Sequence, residues 1–179
     1  MITLIIGTNR RGSTTKVVAR EIQGLYAKLK APFEMIDLAD LPPALFSPDA
    51  YEEKPRGFDT FTEKVLRSDG LVVMTPEYNG SMPGVLKYFI DMLPFPENFD
   101  SRPVCFIGLS AGAWGALRAV EHLQQIFGYR DAYIYPKRVF LPSAFNLLDK
   151  EGRLKNSEIL GRLERQAAGF IEFVRYLKQ

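Results

Sequence analysis

The feature that most restricts the fold of this chain of 179 residues is a regular alternation of short apolar runs with longer segments of helical spacing. The first run is Ile2 to Ile6, and in a later one, Leu71 to Met74, four apolar residues follow one another without a break. A continuous run of this kind is typical of a parallel strand whose two faces are both covered. The alternation therefore predicts a three-layer, doubly wound α/β fold, with a parallel sheet between two layers of helices.

We expect a single domain over residues 1–179, because no repeat, low-complexity stretch or linker divides the chain. The predicted strands are residues 2–6, 33–37, 71–74, 104–109 and 132–135, with 139–141 as a candidate extension of the last. The first predicted helix ends near residue 29, and the others cover residues 58–67, 83–93, 113–127 and 157–177. Four prolines predict a loop over residues 38–56, of a kind that covers a site or a partner surface.

Composition excludes several classes of function. A formal net charge of only +2 offers no basic face for nucleic acid. No apolar stretch approaches the length needed to cross a membrane, and the first residues lack the basic region of a signal peptide, so we expect a cytoplasmic protein. The only cysteine, Cys105, lies in an apolar run and is expected to be a buried, inert thiol. We expect no metal site.

The first predicted strand leads directly into Gly7-Thr8-Asn9-Arg10-Arg11-Gly12-Ser13 and then into a helix. The first N–H groups of a helix have no partner within it, and the helix dipole is positive there, so an anion, above all a phosphate, fits this position. The loop is not a Walker motif, because Ser13 stands where that motif has Lys, and it lacks the third glycine of the dinucleotide fingerprint. The alternative is that Ser13 only caps the helix.

Two more predicted strands lead into loops with unusual chemistry. Residues 75–84 are rich in turn-forming residues and carry Glu77 and Tyr78. We expect Tyr78 to lie beside a planar ligand, and the N–H groups of residues 79–81 to donate to its polar edge. Residues 110–115 are small and let backbone approach a ligand closely. Because ligands of such sheets bind beyond the carboxyl ends of the strands, the three loops are expected to form one crevice.

The loops resemble the signatures of the NADPH-dependent FMN reductase family. Residues 7–13 are similar to its phosphate loop, and residues 76–87, Pro-Glu-Tyr-Asn-Gly-Ser-Met-Pro-Gly-Val-Leu-Lys, match its second signature almost throughout. Residues 110–118 are similar to its third flavin loop, with Ala116 in place of the second glycine of the usual pair and Leu117 after it, a departure expected to reshape the space near the ring. Tyr88 also departs, since the family usually has Asn there. The resemblance covers nearly the whole chain in order.

The resemblance implies a flavodoxin-like fold with five parallel strands in the order 2-1-3-4-5, and FMN bound without a covalent link. It also implies the cofactor contacts. The phosphate would be surrounded by Thr8, Arg10, Ser13, Thr14 and Thr15. The isoalloxazine ring and ribityl chain would be lined by Pro76, Glu77, Tyr78, Asn79 and Gly80, and the other edge would be closed by Ser110, Ala111 and Gly112.

The expected activity is a hydride transfer from NADPH or NADH to bound FMN, followed by reduction of a small acceptor: a quinone, an azo compound, a flavin or a metal oxyanion. The cofactor supplies this chemistry, and the sequence has no obvious acid–base pair, so no catalytic residue is assigned. Tyr78 is a candidate substrate contact, and His122 is expected on a helix surface. Arg11, Lys16 and Lys87 are candidates to meet a 2′-phosphate, and the choice of nucleotide stays open, as does the acceptor.

Two other functions fit the same topology less well. A flavin-binding electron carrier without efficient NAD(P)H turnover is the main alternative, and the near-neutral charge and the specific second loop disfavour it. A phosphorelay receiver would need acidic residues after the first strand and an Asp after the third, where this chain has Thr8-Asn9 and Thr75-Pro76.

The family is usually dimeric or tetrameric, so a homodimer or homotetramer is expected. Tyr88, Phe89 and Trp114 are the candidate interface aromatics, with packing in the core as the alternative.

Overall fold

In the computed structural model, which describes residues 1–178, a parallel sheet forms the centre of the molecule. Its strands are β1 (Ile2–Ile6), β2 (Phe33–Asp37), β3 (Gly70–Pro76), β4 (Pro103–Leu109), β5 (Tyr133–Ile134) and β6 (Val139–Leu141). The order is β2-β1-β3-β4-β5, and β6 pairs with the carboxyl half of β4. The predicted order is therefore confirmed, and residues 139–141 continue the edge position that β5 begins.

Helices cover both faces of this sheet. They are α1 (Thr14–Lys28), α2 (Asp59–Leu66), α3 (Gly84–Met92), α4 (Leu117–Tyr129) and α5 (Ser157–Leu177). Side chains alternate between the two faces of a strand, so Leu4 and Ile6 lie in the core under α1 and α5, while Ile5 lies in the core under α2, α3 and α4. The three-layer architecture predicted from the alternation, and the flavodoxin-like strand order implied by the resemblance, are both confirmed.

Two elements differ from their predicted bounds in ways that affect the loops. Strand β3 continues two residues further than predicted, because Thr75 and Pro76 still pair with Gly108 and Leu109 of β4. Helix α4 begins at Leu117 instead of Ala113, because Gly115 and Ala116 have φ values of +58° and +71°, which a right-handed helix excludes. The third loop is therefore longer, and the second shorter, than the sequence indicates.

The proline-rich segment after β2 forms three short 3₁₀ helices, Leu38–Asp40, Pro43–Phe46 and Pro48–Tyr51, and packs against α3. The Tyr88 hydroxyl donates to the Leu45 carbonyl at 2.7 Å, and the Phe46 ring stacks on Tyr88 at 5.2 Å. Phe89 is fully buried. For Phe89 the core-packing alternative is therefore correct, and Tyr88 makes an intramolecular contact; of the three candidate interface aromatics, only Trp114 is largely exposed.

Other local predictions hold. Cys105 is fully buried in β4, and burial raises the pKa of its thiol well above the ordinary value. The Asn156 side chain caps α5 by accepting from the N–H groups of Glu158 and Ile159. Within the described residues, no helix combines the length and apolar character needed to cross a membrane.

Candidate active site

Three loops meet at the carboxyl edge of the sheet: the first loop (residues 7–13, after β1), the second loop (77–83, after β3) and the third loop (110–116, after β4). They adjoin because β3 pairs with both β1 and β4. Hydrogen bonds connect them: the Thr8 and Tyr78 hydroxyls lie 2.8 Å apart, and the Glu77 N–H donates to the Leu109 carbonyl at 3.3 Å. The predicted convergence on one crevice is therefore present, and we call the three loops together the cradle.

The first loop presents donors at the start of α1. Ser13 is the N-cap, and its Oγ accepts from the Lys16 N–H at 3.2 Å. Within residues 1–178, the N–H groups of Ser13, Thr14 and Thr15 have no acceptor. Unpaired N–H groups at a helix start are the donors that a phosphate needs, so the loop fits the expected anion. Ser13 therefore caps the helix, as the alternative interpretation expects, and the backbone N–H groups are the principal hydrogen-bond donors available to an anion.

The other residues predicted to contact the phosphate differ in how exposed their side chains are. Arg10 is exposed, and its N–H donates to Thr8 Oγ1 at 3.2 Å. Thr8 and Thr15 are 1% and 2% exposed, so they support the loop from beneath, whereas Thr14 is half-buried. Gly7 has a role that the motif does not reveal: a Cβ there would lie 2.8 Å from both Leu86 Cδ2 and the Met74 carbonyl oxygen, so this glycine is required by the packing of β1 against its neighbours.

The three candidates to bind a 2′-phosphate differ in whether a carboxylate already pairs with them. Lys16 pairs with Asp37 at 2.5 Å, and the hydrogen bond and charge of that carboxylate raise the pKa of Lys16. Lys87 pairs with Asp91 one turn along α3 at 2.7 Å. Arg11 is exposed and forms no ion pair with any described residue.

The second loop is a tight turn held at both ends. Tyr78 and Ser81 exchange backbone hydrogen bonds of 2.9 and 3.1 Å, and Asn79 and Gly80 between them have φ values of +51° and +76°, as in a type I′ turn. The expectation that the Ser81 N–H is free for a ligand is therefore wrong; it is bonded to Tyr78. The Ser81 hydroxyl lies 2.9 Å from His122 Nδ1 on the exposed side of α4.

Tyr78 and Pro76 lie differently from the sequence interpretation. The Tyr78 hydroxyl, a candidate substrate contact, is engaged with Thr8 of the first loop. Pro76 is buried as the last residue of β3, so it supports the loop from the strand end. Glu77 is half-buried, and Asn79 is exposed.

Ser110 organises the third loop. Its Oγ accepts from the Ala116 N–H at 3.1 Å, and its own N–H donates to the Leu141 carbonyl of β6 at 3.1 Å. A Cβ on Gly115 would lie 2.7 Å from the Leu141 backbone nitrogen, so only glycine allows this loop to sit against β6. Ala111 and Gly112 are left exposed on the cradle edge.

A cavity of about 280 Å³ lies between the second and third loops, lined by Glu77, Trp114, Leu117 and Arg118. Trp114 is 76% exposed, and Arg118 Nη1 lies 3.9 Å from the position that a Cβ on Gly80 would take. The cavity therefore combines an aromatic face, a cation and a carboxylate beside the cradle. Sequence analysis did not single out Arg118; its place in the first turn of a helix directly behind a ligand loop is the signal that could have found it.

Comparisons with known proteins agree with this geometry. A family model described as NADPH-dependent FMN reductase matches residues 1–146. The chain is 33% identical over 178 residues to an NAD(P)H-dependent FMN reductase of Pseudomonas aeruginosa, covering 97% of this chain and 95% of the relative. It is 31% identical over 183 aligned residues to a quinone reductase of Escherichia coli, covering 99% and 96%. Among solved structures, the NAD(P)H:(acceptor) oxidoreductase FerB of Paracoccus denitrificans superimposes with a TM-score of 0.79 at 21% identity, covering 98% and 97%, which shows the shared fold.

Proposed function

This chain belongs to the NADPH-dependent FMN reductase family and is an FMN-dependent NAD(P)H oxidoreductase, and from that premise we propose that its acceptor is a small quinone. The observation that carries the choice of acceptor is the cavity beside the cradle. Trp114 offers a planar face for a quinone ring, and Arg118 offers a cation to a quinone oxygen that gains negative charge as electrons arrive. The similar protein of E. coli is named a quinone reductase.

The cradle residues fit FMN, which supplies the hydride and electron chemistry when bound. We propose that the free N–H groups of Ser13, Thr14 and Thr15, with Arg10, hold the phosphate, and that Thr8 positions Arg10 from beneath. Further contacts follow from the second and third loops: Pro76, Glu77, Tyr78, Asn79 and Gly80 on one side, and Ser110, Ala111 and Gly112 on the other. Trp114 and Arg118 then orient the acceptor over the site.

Flavin binding and reduction test the proposal first. Purified chain loaded with FMN is expected to be yellow, and NADPH or NADH is expected to bleach the flavin band without air. Adding a benzoquinone should restore the band within the turnover time. A chain that takes up no FMN contradicts the proposal, and a chain that is bleached only through a separate reductase is an electron carrier.

The acceptor site is tested by Trp114→Ala and Arg118→Gln. Each is expected to raise the KM for benzoquinone several-fold, about the loss of one contact worth 0.5–1.5 kcal/mol, while FMN stays bound. Tyr176→Ala is the matched control, since Tyr176 is 75% exposed and lies on α5 outside the cradle. Unchanged KM in both cavity variants would place the quinone elsewhere.

We further propose one flavin-binding domain over residues 1–179, a cytoplasmic location, and assembly into a homodimer or homotetramer. The exposed Trp114 beside the cradle and the exposed Tyr129 at the end of α4 support the assembly, because aromatic side chains are enriched at interfaces. Sedimentation of the flavin-loaded chain tests it, and a monomer at micromolar concentration would contradict it.

A further inference from the structure

The edge of the sheet opposite β2 contains an irregularity that the reductase activity does not use. Strand β5 ends its pairing with β4 at Val104, and β6 resumes pairing at Ile107. Two residues of β4 therefore face four residues of the edge, Tyr135 to Arg138, which makes a bulge of two extra residues. The chain pairs with β4 again directly after the bulge, at Val139, so the bulge is a defined part of the sheet edge.

Gln166 of α5 closes the gap that the bulge leaves. Its side chain is only 4% exposed, and its Nε2 donates to the Phe106 carbonyl at 3.0 Å and to the Lys137 carbonyl at 2.6 Å. At Phe106 neither β5 nor β6 pairs with β4, so a side-chain amide takes the place of a ladder bond on that edge. Within residues 1–178 no donor reaches Gln166 Oε1, and this atom is absent from the fully buried polar atoms without a partner. Gln166 also lines the space beside the bulge, so an amide acceptor without a described donor lies at the wall of that space.

That space is a cavity of about 520 Å³ surrounded by positive charge. Four cationic side chains line it, Lys137, Arg138, Arg162 and Arg165, and among residues 1–178 no carboxylate does. In the described part of the chain none of the four lies within 4.0 Å of a carboxylate. Elsewhere on this surface such pairs do form, as between Arg153 and Asp149 or Arg67 and Glu34. Four cations gathered without counter-charges around one cavity repel one another unless an anion joins them.

Two aromatic side chains form part of the wall, Tyr135 on the α5 side of the sheet edge and Phe140 on the α4 side. The Arg138 guanidinium lies 5.5 Å from the centre of the Phe140 ring. Arg138 Nη1 also donates to Gln124 Oε1 at 2.9 Å, so this cation is held in place. The volume falls in the range that accommodates small organic ligands and exceeds what a single phosphate ion needs.

We propose that this cavity is a second ligand site, separate from the cradle, for a small aromatic polyanion of the nucleoside phosphate class. Arg162 and Arg165 bind phosphate oxygens from α5, Lys137 and Arg138 bind them from the bulge, and Gln166 Oε1 accepts from a donor on the base or sugar. The base lies against the ring of Tyr135 on the α5 side of the sheet edge. The site shares no residue with the cradle, so it stands whether or not the cradle takes a quinone.

The test is calorimetric titration of the flavin-loaded chain, freed of excess FMN, with ATP and separately with adenosine. ATP is expected to bind at one site per chain, and adenosine to bind far more weakly because the cations then have no partner. Arg162→Gln combined with Arg165→Gln is expected to weaken ATP binding by roughly a hundredfold, about the loss of two charge-assisted hydrogen bonds. Circular dichroism and retained flavin show that the variant is folded.

The matched control is Lys155→Gln combined with Arg175→Gln, which also removes two positive charges from exposed positions flanking or on α5 and should leave ATP affinity unchanged. Equal weakening in both double variants would mean that ATP senses net charge only, and it would overturn the site. Absence of ATP binding to the natural chain, adenosine binding as tight as ATP binding, or loss of ATP binding in Ser13→Asp, which alters only the cradle, would overturn it as well.

Discussion

At the residue scale, the contact that most directly couples two parts of the cradle is the pair of hydroxyls on Thr8 and Tyr78. The two residues are 70 positions apart in the chain, and their oxygens are 2.8 Å apart. Thr8 Oγ1 also accepts from the Arg10 N–H, so if Thr8 donates to Tyr78, one short chain of hydrogen bonds runs from the first loop to the second. The second loop is therefore positioned by the first even before a ligand binds.

We expect Tyr78→Phe and Thr8→Val each to weaken FMN binding by about 0.5–1.5 kcal/mol, the net value of one hydrogen bond. Since both variants remove the same bond, the double variant should lose less than the sum of the two single losses. Fluorescence titration of FMN into the four proteins completes the cycle. Strictly additive losses would show that the two hydroxyls act on the flavin independently.

Ala116 has a backbone conformation that is unfavourable for alanine. Its φ of +71° costs an L-residue about 1–2 kcal/mol. Its methyl group is fully buried, which favours Ala by about 0.8 kcal/mol, and glycine would add about 0.5–1 kcal/mol of backbone entropy loss. The terms nearly cancel, so we expect Ala116→Gly to change the free energy of unfolding by less than about 1 kcal/mol, as measured by urea denaturation.

Because the Ala116 side chain does not reach the surface, this substitution should also leave FMN affinity unchanged. Of the two residues that depart from the family pattern in this loop, Leu117 is the one that lines the cavity beside the cradle. A large change in FMN affinity for Ala116→Gly would show that the methyl group shapes the flavin site through the loop backbone.

At the element scale, the start of α1 combines helix capping with anion binding, and the two roles can be separated at Ser13. Ser13→Ala removes the cap and should destabilise the FMN-free chain by about 1 kcal/mol. Ser13→Asp keeps an effective cap, so the FMN-free chain should retain its stability, but the new carboxylate repels a phosphate held by the N–H groups beside it. Thermal melts with and without FMN separate the effects: the aspartate variant should lose the FMN-dependent rise in melting temperature.

The alanine variant serves as the control for that result, because it lacks the repelling charge. We expect it to keep most of the FMN-dependent stabilisation from the backbone donors while melting lower in the absence of FMN. If the aspartate variant binds FMN as well as the natural chain, the phosphate does not lie at the start of α1.

The elements themselves follow from the sequence wherever local signals suffice. The bounds of β1 and α5, the Asn156 cap and the buried Cys105 are set by apolar periodicity and capping chemistry that act within a few residues. The start of α4 escaped prediction because Gly115 packs against β6 and Ala116 after it has a left-handed backbone, of which alanine gives no sign. Local signals of this kind do not reveal contacts between residues that are far apart in the sequence.

The candidate site likewise has features that the sequence predicts and features that it does not. The three loops and their order were predictable, since the carboxyl ends of neighbouring parallel strands must meet at one edge. The requirement for Gly7 comes from Leu86 and Met74 on other elements, and the bond between Thr8 and Tyr78 links two loops. The amide of Gln166, which replaces a ladder bond 60 residues away, has no counterpart in any local pattern.

At the scale of the whole molecule, carboxylates at the periphery form hydrogen bonds and ion pairs that connect the sheet with its helices. Glu34 on the edge strand β2 accepts from Arg67 Nε at 3.0 Å, directly after α2, and from Thr3 on β1 at 3.3 Å. Burial raises the pKa of Glu34, but the hydrogen bond and charge of Arg67, with Lys64 and Thr3, outweigh it and lower the pKa overall. Asp69 behaves alike: burial opposes, and Lys178 with the amino terminus outweighs it, so its pKa is lowered too.

A lowered carboxyl pKa makes the fold less stable in acid. In unfolded chains Glu has a pKa of about 4.3, so the contribution of Glu34 is fully present above that value and is lost as the pH falls through its lower folded-state pKa. We expect Glu34→Gln to lower the melting temperature at pH 7 by about 2–4 °C, and the difference to shrink as the pH falls through the folded-state pKa of Glu34, because the natural side chain then loses its charge as well. Glu53→Gln, at an exposed glutamate that forms no ion pair with any residue that the structure describes, is the matched control and should melt like the natural chain throughout. A difference between Glu34→Gln and the natural chain that stays constant as the pH is lowered would show that the side chain stabilises β2 by packing and not by its charge.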